Sequence, residues 1–199
     1  MNYLCKNPLI ERKGNLLISA GFPWLNPAAL YAIIQYHLSE KASRIILIDG
    51  RETGIFDAYS GQAEVVSADD ATNVLQSISK EIKNQASLEN TLLIVSEYSC
   101  LTCVSRLLGH KEASRNYRLL LKIARGAEEA GLTLIITDRH PMIEVLTKRI
   151  RDVFPCRMAF HTSIKEDSKL ILGFACAEKL NTDGEALYFD GESLKALQF

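Results

Sequence analysis

The sequence predicts an α/β fold in which a mostly parallel central sheet is flanked by helices and ends in an antiparallel hairpin. The main indication is a set of short, nearly uninterrupted apolar runs, which are typical of central parallel strands covered on both faces. Amphipathic helical patterns separate these runs, and repeated strand–helix–strand units favour right-handed crossovers in a parallel sheet. A turn signal between two late apolar segments indicates the hairpin.

The predicted strands follow the apolar runs in chain order. The most continuous runs lie at 16–20, 45–48, 92–95 and 132–136, and a shorter one lies at 157–160. Two further segments, 186–189 and 194–197, flank the dipeptide Asp190-Gly191. Because Asp-Gly is a strong turn signal between apolar segments, we expect these two segments to pair as an antiparallel hairpin.

The predicted helices fill the gaps between the strands. Apolar residues at helical spacing place them at 27–38, 70–83, 115–130 and 142–153. Asp69 or Asp70 is the natural cap of the second helix, and Gly131 ends the third. The stretch 96–114 has mixed polarity and is predicted to be the most flexible loop.

Length and charge limit the classes of function. A chain of 199 residues buries one sizeable core, so we expect a single domain over 1–199, with 1–13 as an N-terminal extension. The 23 basic and 24 acidic residues give a net charge of −1, so a nucleic-acid contact would need a local basic patch. The sequence has neither an apolar run of about 20 residues nor a signal-peptide pattern. We therefore expect a cytoplasmic protein without a membrane segment.

The cysteines indicate reduced thiols, because there are five of them and the chain carries no export signal. Cys100 and Cys103 form a C-x-x-C pair, which leaves zinc or redox chemistry open. A zinc site needs a second such pair or nearby histidines, and the sequence offers neither. We favour small apolar side chains packed beside a strand end, and we expect no metal site.

The junction after the first predicted strand is the place where a parallel α/β domain binds phosphate. A phosphate-binding loop has the pattern G-x-x-x-x-G-K-[ST], in which the lysine neutralises the phosphates and the hydroxyl holds Mg²⁺. Gly21 matches the first glycine, but Asn26, Pro27 and Ala28 take the positions of the last three residues. The loop therefore has neither the cation nor the metal ligand. Asn26 is expected to cap the following helix, with Pro27 at its first position.

The end of the third predicted strand has lost part of a second pattern. Hydrolytic motors end this strand with two acidic residues, one for Mg²⁺ and one that polarises the attacking water. Here the strand ends in Ser96 and Glu97. Serine is a poor Mg²⁺ ligand, so Glu97 alone is left as a vestigial catalytic candidate.

Several later segments carry a family resemblance. They are GLTLIITDRHP at 131–141, EVLT at 144–147, RMAF at 157–160, KEDSKLIL at 165–172 and AEKL at 177–180. These segments resemble the strand with glutamine-arginine-proline, the "RIAF" strand, the "DSRTIL" helix start and the "AEKLL" tail of the FtsK/SpoIIIE family of DNA-translocating ATPases. The likeness runs from about residue 14 to the C-terminus. It implies a RecA-like P-loop NTPase fold.

The departures from that family fall on the positions that carry the chemistry. Arg139 stands where the family has its sensor glutamine, and Lys169 stands where it has the arginine of "DSR". Lysine keeps the charge but loses the bidentate fork of arginine. Together with the loop and Ser96, these changes predict a pseudo-ATPase for which no cofactor is expected.

Three functions follow from the resemblance and its departures. The first is an inactive module that binds a protein partner, such as an active motor subunit or a second copy in an oligomer. The second is an atypical ATPase of a DNA-translocation or secretion motor, which would use ATP and Mg²⁺ with a site completed by a neighbouring subunit. Its support is Glu97, Asp49 and a basic cluster of Arg139, His140, Lys148, Arg149 and Arg151. The third is DNA binding without hydrolysis through Arg115, Arg118, Lys122 and Arg125, which lie at helical spacing.

Overall fold

The computed structural model describes residues 15–19, 25–40, 42, 44–103, 109–139, 142–181 and 184–199. Eight strands form one sheet in this part of the chain. They are β1 (Asn15–Ser19), β2 (Arg44–Asp49), β3 (Glu64–Ser67), β4 (Thr91–Ser96), β5 (Leu132–Asp138), β6 (Cys156–Phe160), β7 (Glu185–Phe189) and β8 (Leu194–Gln198). The helices are α1 (Leu25–Ser39), α2 (Ala68–Lys83), α3 (Tyr98–Thr102), α4 (His110–Ala130), α5 (Lys148–Val153) and α6 (Lys165–Leu172).

The strand order is β3-β2-β4-β5-β1-β6-β7-β8. All pairs from β3 to β6 are parallel, and β6, β7 and β8 pair antiparallel. This arrangement confirms the predicted α/β class, the parallel centre and the C-terminal hairpin. Because the central strands are parallel, the carboxyl ends of β1, β2, β4 and β5 meet at one edge of the sheet.

Helices cover both faces of the sheet. Leu30, Ile33 and Ile34 of α1 pack with one set of strand side chains, and we call this side the α1 face. Apolar residues of α2, α4, α5 and α6 pack on the opposite face, with Leu120 and Ile123 of α4 fully buried there. Burial on both faces explains why the central strands have nearly continuous apolar sequences.

Two elements were not predicted. The edge strand β3 contains only two apolar residues, Val65 and Val66, which is too short a run to signal a strand. Helix α3 and the start of α4 lie inside the stretch 96–114, which was predicted as a loop. Residues 104–108 of that stretch are outside the described part of the chain.

Several predicted helix boundaries were wrong. Helix α5 begins at Lys148, where the Thr147 hydroxyl accepts the Ile150 N–H (3.4 Å), and not at residue 142. Helix α2 is capped by Ser67, whose hydroxyl accepts the Asp70 N–H (3.4 Å), and not by Asp69 or Asp70. In both cases a hydroxyl residue lies just before the helix and satisfies a free N–H of the first turn.

The start of α1 also differs from the prediction. The helix begins at Leu25, so Asn26 lies within it and Pro27 is its third residue instead of its first. Proline is still tolerated there, because the first four N–H groups of a helix have no partner within the helix. Residues 1–14 with Cys5, and Ala20 to Trp24, lie outside the described part of the chain. Within the described ranges, every helix is too short or too polar to cross a bilayer.

Candidate functional site

Buried polar side chains gather where the parallel strands end. Six of them are less than a tenth exposed: Ser19, Asp49, Ser96, Glu97, Thr137 and Asp138. In the sheet, Asp49 is level with Ser96, and Ser19 is level with Asp138. In parallel α/β domains the ligand site lies at this edge, which makes the polar cluster the candidate functional site.

Glu97 adopts an unusual backbone conformation directly after β4. Its φ and ψ are 53° and 55°, in the left-handed region that non-glycine residues seldom occupy. The turn carries the chain from β4 into α3 and leaves the Glu97 carboxyl buried. Backbone strain of this kind is retained where the surrounding structure holds it in place, often at functional sites.

The Glu97 carboxylate lies against Arg139, which follows the neighbouring strand β5. The Glu97 Oε1 and Arg139 Nε atoms are 2.7 Å apart, in a charge contact rather than a well-aligned hydrogen bond. Burial raises the pKa of Glu97, and the Arg139 guanidinium opposes that rise. In the sequence Glu97 is a retained acidic residue and Arg139 is a departure at the sensor position, and the fold brings the two together.

Two further carboxylates hold the loops around the site. Asp138 accepts the Ser99 N–H through Oδ2 (2.7 Å) and so fixes the start of α3. Asp49 accepts the Gly54 N–H (2.8 Å) and the Arg51 N–H (3.3 Å), which fixes the turn after β2. This role of Asp138 was not predicted, although an acidic residue at the end of a central strand is a usable signal.

Gly50 lets the ends of β2 and β4 approach closely. Its N–H donates to the Ser96 carbonyl oxygen (3.1 Å), and a Cβ placed on Gly50 would lie 2.5 Å from that oxygen and 3.0 Å from the Glu97 carbonyl oxygen. Both neighbours are backbone atoms, which cannot move aside without separating the strand ends. Glycine at this position therefore keeps the site compact.

Substituting Gly50→Ala is expected to lower the free energy of unfolding by about 1–2 kcal/mol, because the added methyl overpacks the strand ends. The matched control is Gly61→Ala, since a Cβ at Gly61 meets no atom within 4 Å. Urea unfolding followed by circular dichroism measures both variants. Equal stability of the two alanine variants would contradict the close-approach role of Gly50.

The phosphate-loop positions offer no charged or hydroxyl side chain in the described residues. Pro27 is half-buried and Ala28 is exposed in the first turn of α1. Gly21 and the side chain of Asn26 are outside the described part of the chain. Lys169 is exposed on α6, which packs on β6.

Cys100 and Cys103 are half-buried at the end of α3. Burial raises the pKa of both thiols, and the Asp138 carboxylate adds to the rise. Thiols that stay protonated are weak nucleophiles and weak metal ligands. Across the residues the structure describes, no three His, Cys, Asp or Glu side chains are grouped to hold a metal ion.

Known proteins share both sequence and fold with the chain. The DNA translocase FtsK of Staphylococcus epidermidis is 34% identical over 112 residues, which cover 56% of this chain and 13% of that protein. The DNA translocase FtsK of Bradyrhizobium diazoefficiens is 40% identical over 70 residues, which cover 35% of this chain and 8% of that protein. No protein-family model matches the chain.

Solved structures extend the likeness over almost the whole chain. TcpA, the conjugation coupling protein of pCW3, superposes with a TM-score of 0.82 at 17% identity, over 94% of this chain and 60% of TcpA. The genome packaging NTPase of Sulfolobus turreted icosahedral virus 2, solved with ATP-gammaS, gives a TM-score of 0.61 at 16% identity, over 92% of this chain and 96% of that NTPase. The chain is FtsK/SpoIIIE-like.

This FtsK/SpoIIIE-like chain also shares its fold with a secretion ATPase. The cytoplasmic domain of the type VII secretion ATPase EccC from Thermomonospora curvata superposes with a TM-score of 0.72 at 15% identity, over 92% of this chain and 25% of EccC. The relatives are therefore DNA translocases and ATPases of conjugation and secretion. The predicted RecA-like P-loop NTPase fold is confirmed, and the chain spans about a tenth of the length of the curated relatives it matches.

Proposed function

We propose that this chain is a catalytically inactive FtsK/SpoIIIE-like module that acts by binding a partner protein. The observation that carries the proposal is the contact between Glu97 and Arg139, with 2.7 Å between their charged atoms. A carboxylate that polarises water must have an oxygen free to accept a proton from it. In this chain the Oε1 atom of that carboxylate lies against the guanidinium of Arg139, which stands where the family has a glutamine, so the guanidinium competes with water for this oxygen.

The other chemical positions support the same proposal. Pro27 has no charge and no N–H to offer a phosphate, and Ala28 has no hydroxyl to offer Mg²⁺. Ser96 is buried at the end of β4 and supplies no carboxylate. Three separate requirements of ATP hydrolysis therefore lack their usual side chain, while the sheet and helices that position them persist.

The partner is inferred from the kind of protein to which the chain is related. The relatives are translocases and coupling or secretion ATPases, which work on other macromolecules. A motor fold that has lost its chemistry keeps its surfaces, which can still bind. We infer a protein partner, which is either an active motor subunit or a second copy of this chain.

Nucleotide binding tests the loss of activity. We expect calorimetry with ATP and Mg²⁺ to give no measurable binding, and a phosphate-release assay to give no turnover. The FtsK motor domain of Staphylococcus epidermidis is the positive control in both assays. Micromolar ATP binding with Mg²⁺-dependent turnover would overturn the proposal. Loss of that turnover in Glu97→Ala would then establish an atypical ATPase.

A further inference from the structure

The outer face of α4 carries a straight stripe of basic side chains. The structure begins α4 at His110, which adds Lys111 to the four cations recognised in the sequence. The basic stripe consists of Lys111, Arg115, Arg118, Lys122 and Arg125, all of them exposed. Their alternating spacing of four and three residues keeps them on one side of the helix, over about 20 Å.

The basic stripe has no ion-pair partner in the described part of the chain. The ion pairs found there involve Arg44, Arg139, Lys148 and Lys195, and no member of the stripe. Arg115 donates to the amide oxygen of Gln76 on α2, an uncharged partner. Like charges three or four residues apart destabilise a helix by about 0.2–0.5 kcal/mol for each pair. Glu112 offsets this repulsion near Arg115, and Glu128 and Glu129 offset it near Arg125, so it is least compensated at Arg118 and Lys122, where an external anion would relieve it.

Acidic residues limit the length of the basic stripe. Glu129 takes the next position along its line, Glu128 lies beside it, and both are exposed. Near the other end, the exposed Glu112 lies beside the stripe and next to α2, with its Oε1 atom 3.4 Å from the Thr72 hydroxyl oxygen. A long, rigid polyanion such as duplex DNA would pass these carboxylates within a Debye length of about 8 Å. A short anionic segment fits between them.

We propose that the basic stripe is the docking surface for a short acidic helix of a partner protein. Two helices that lie side by side keep a common spacing, so carboxylates at every third and fourth residue of the partner face the stripe. Three of the five cations are arginine, which binds carboxylates through two parallel hydrogen bonds. The inference rests on the proposed function, since it names the partner chemistry of a module that acts by binding.

Binding of a designed peptide tests whether the spacing of the cations in the basic stripe determines recognition. The probe is a fluorescent helical peptide of about 15 residues, about 22 Å long, with glutamates in the same four-and-three spacing. The control peptide has the same composition, with its glutamates distributed around the helix. We expect fluorescence anisotropy at low salt to give about tenfold weaker binding for the control peptide, because only the matched peptide aligns its carboxylates.

Charge reversal on α4 tests whether the peptide binds at the basic stripe. Arg118→Glu with Lys122→Glu is expected to weaken binding of the matched peptide by about tenfold or more, since attraction becomes repulsion at two contacts. The matched control is Lys165→Glu with Lys179→Glu, which reverses two exposed lysines away from α4 and should change binding by less than about twofold. Circular dichroism confirms that both double variants are folded. A peptide with two glutamates changed to lysine should restore binding to the α4 variant.

Each other result overturns the inference. Equal binding of the two peptides would mean that the spacing of the glutamates does not determine binding. An unchanged affinity of the α4 variant would mean that the basic stripe is not the binding surface. Tighter binding of a duplex of about 20 base pairs than of the matched peptide, lost in the α4 variant, would assign the stripe to nucleic acid. The nucleotide assays are independent. ATP turnover together with stripe-dependent peptide binding would refute the inactive module but support the docking surface. Absence of turnover together with stripe-independent peptide binding would support the inactive module but refute the docking surface.

Discussion

Replacing Arg157 by methionine is expected to lower the free energy of unfolding by about 3 kcal/mol. Arg157 lies half-buried on β6, and its guanidinium donates to three backbone carbonyls: those of Arg151 (2.9 Å), Phe154 (3.0 Å) and Ile171 (3.4 Å). One side chain thus joins the end of α5, the turn after it and the end of α6. Methionine keeps the apolar stem but leaves all three carbonyl oxygens without this donor.

The role of Arg157 depends on its donors more than on its charge. No carboxylate lies within ion-pair distance of it among the described residues, and burial lowers its pKa. The carbonyls at helix ends need donors, and a planar guanidinium can reach several of them at once. Arg157→Lys, which keeps the charge on a single nitrogen, is therefore expected to recover only part of the loss.

Thermal and urea unfolding measure the effect. For a domain of this size a loss of about 3 kcal/mol corresponds to a fall in Tm of roughly 6–12 °C. The matched control is Arg149→Met, an exposed arginine on α5, which should change stability by no more than about 0.5 kcal/mol. Similar unfolding of the two methionine variants would mean that the three carbonyls find other partners, and the assigned role would be wrong.

The sequence predicts the centre of the fold better than its edges. Central strands such as β4 are covered on both faces, so their sequences are apolar throughout and easy to find. The edge strand β3 and the short helix α3 have too few residues to show a periodicity. Helix starts were misplaced because Ser67 and Thr147 act as caps through their hydroxyl groups, while apolar spacing gives no cap position.

The residues of the candidate site could be predicted from the sequence, but the contact between Glu97 and Arg139 could not. Ser96 and Glu97 were identified from the acidic pair with which hydrolytic motors end their third strand, and Arg139 from the family resemblance. The contact between Glu97 and Arg139 depends on the left-handed backbone of Glu97, for which a glutamate gives no sequence signal. The part of Asp138 in fixing α3 depends in the same way on a helix that the sequence did not predict.

Replacing Arg139 by alanine is expected to lower the free energy of unfolding by about 2 kcal/mol at neutral pH, because it leaves the Glu97 carboxylate buried without a counter-ion. The side chains of Glu97 and Arg139 are only 10% and 17% exposed, so water replaces the lost partner poorly. The exposed pair of Lys148 and Asp152, at 82% and 56%, supplies the matched control. Lys148→Ala should cost less than about 1 kcal/mol.

The loss in Arg139→Ala should depend on pH, with a sign set by the raised pKa of Glu97. A carboxyl whose pKa is higher in the folded than in the unfolded state favours folding when it is protonated, and this contribution is lost as the pH rises through the folded pKa. Without Arg139 the pKa of Glu97 rises further, because burial is then less opposed. We therefore expect a small penalty at pH 4 and the full penalty above the folded pKa. Urea unfolding at several pH values measures it, and an equal penalty throughout would contradict the ion pair.

A double-mutant cycle separates the ion pair from the two side chains. Glu97→Ala and Arg139→Ala each leave one buried charge alone, while the double variant leaves none. The double variant should therefore be more stable than the sum of the single losses predicts, by about 1–2 kcal/mol at neutral pH and by little at pH 4. A coupling of this size would mean that the Glu97 carboxylate is engaged in holding Arg139 in the folded protein. Purely additive losses would leave that carboxylate available to a water molecule, and the case for an inactive site would lose its main support.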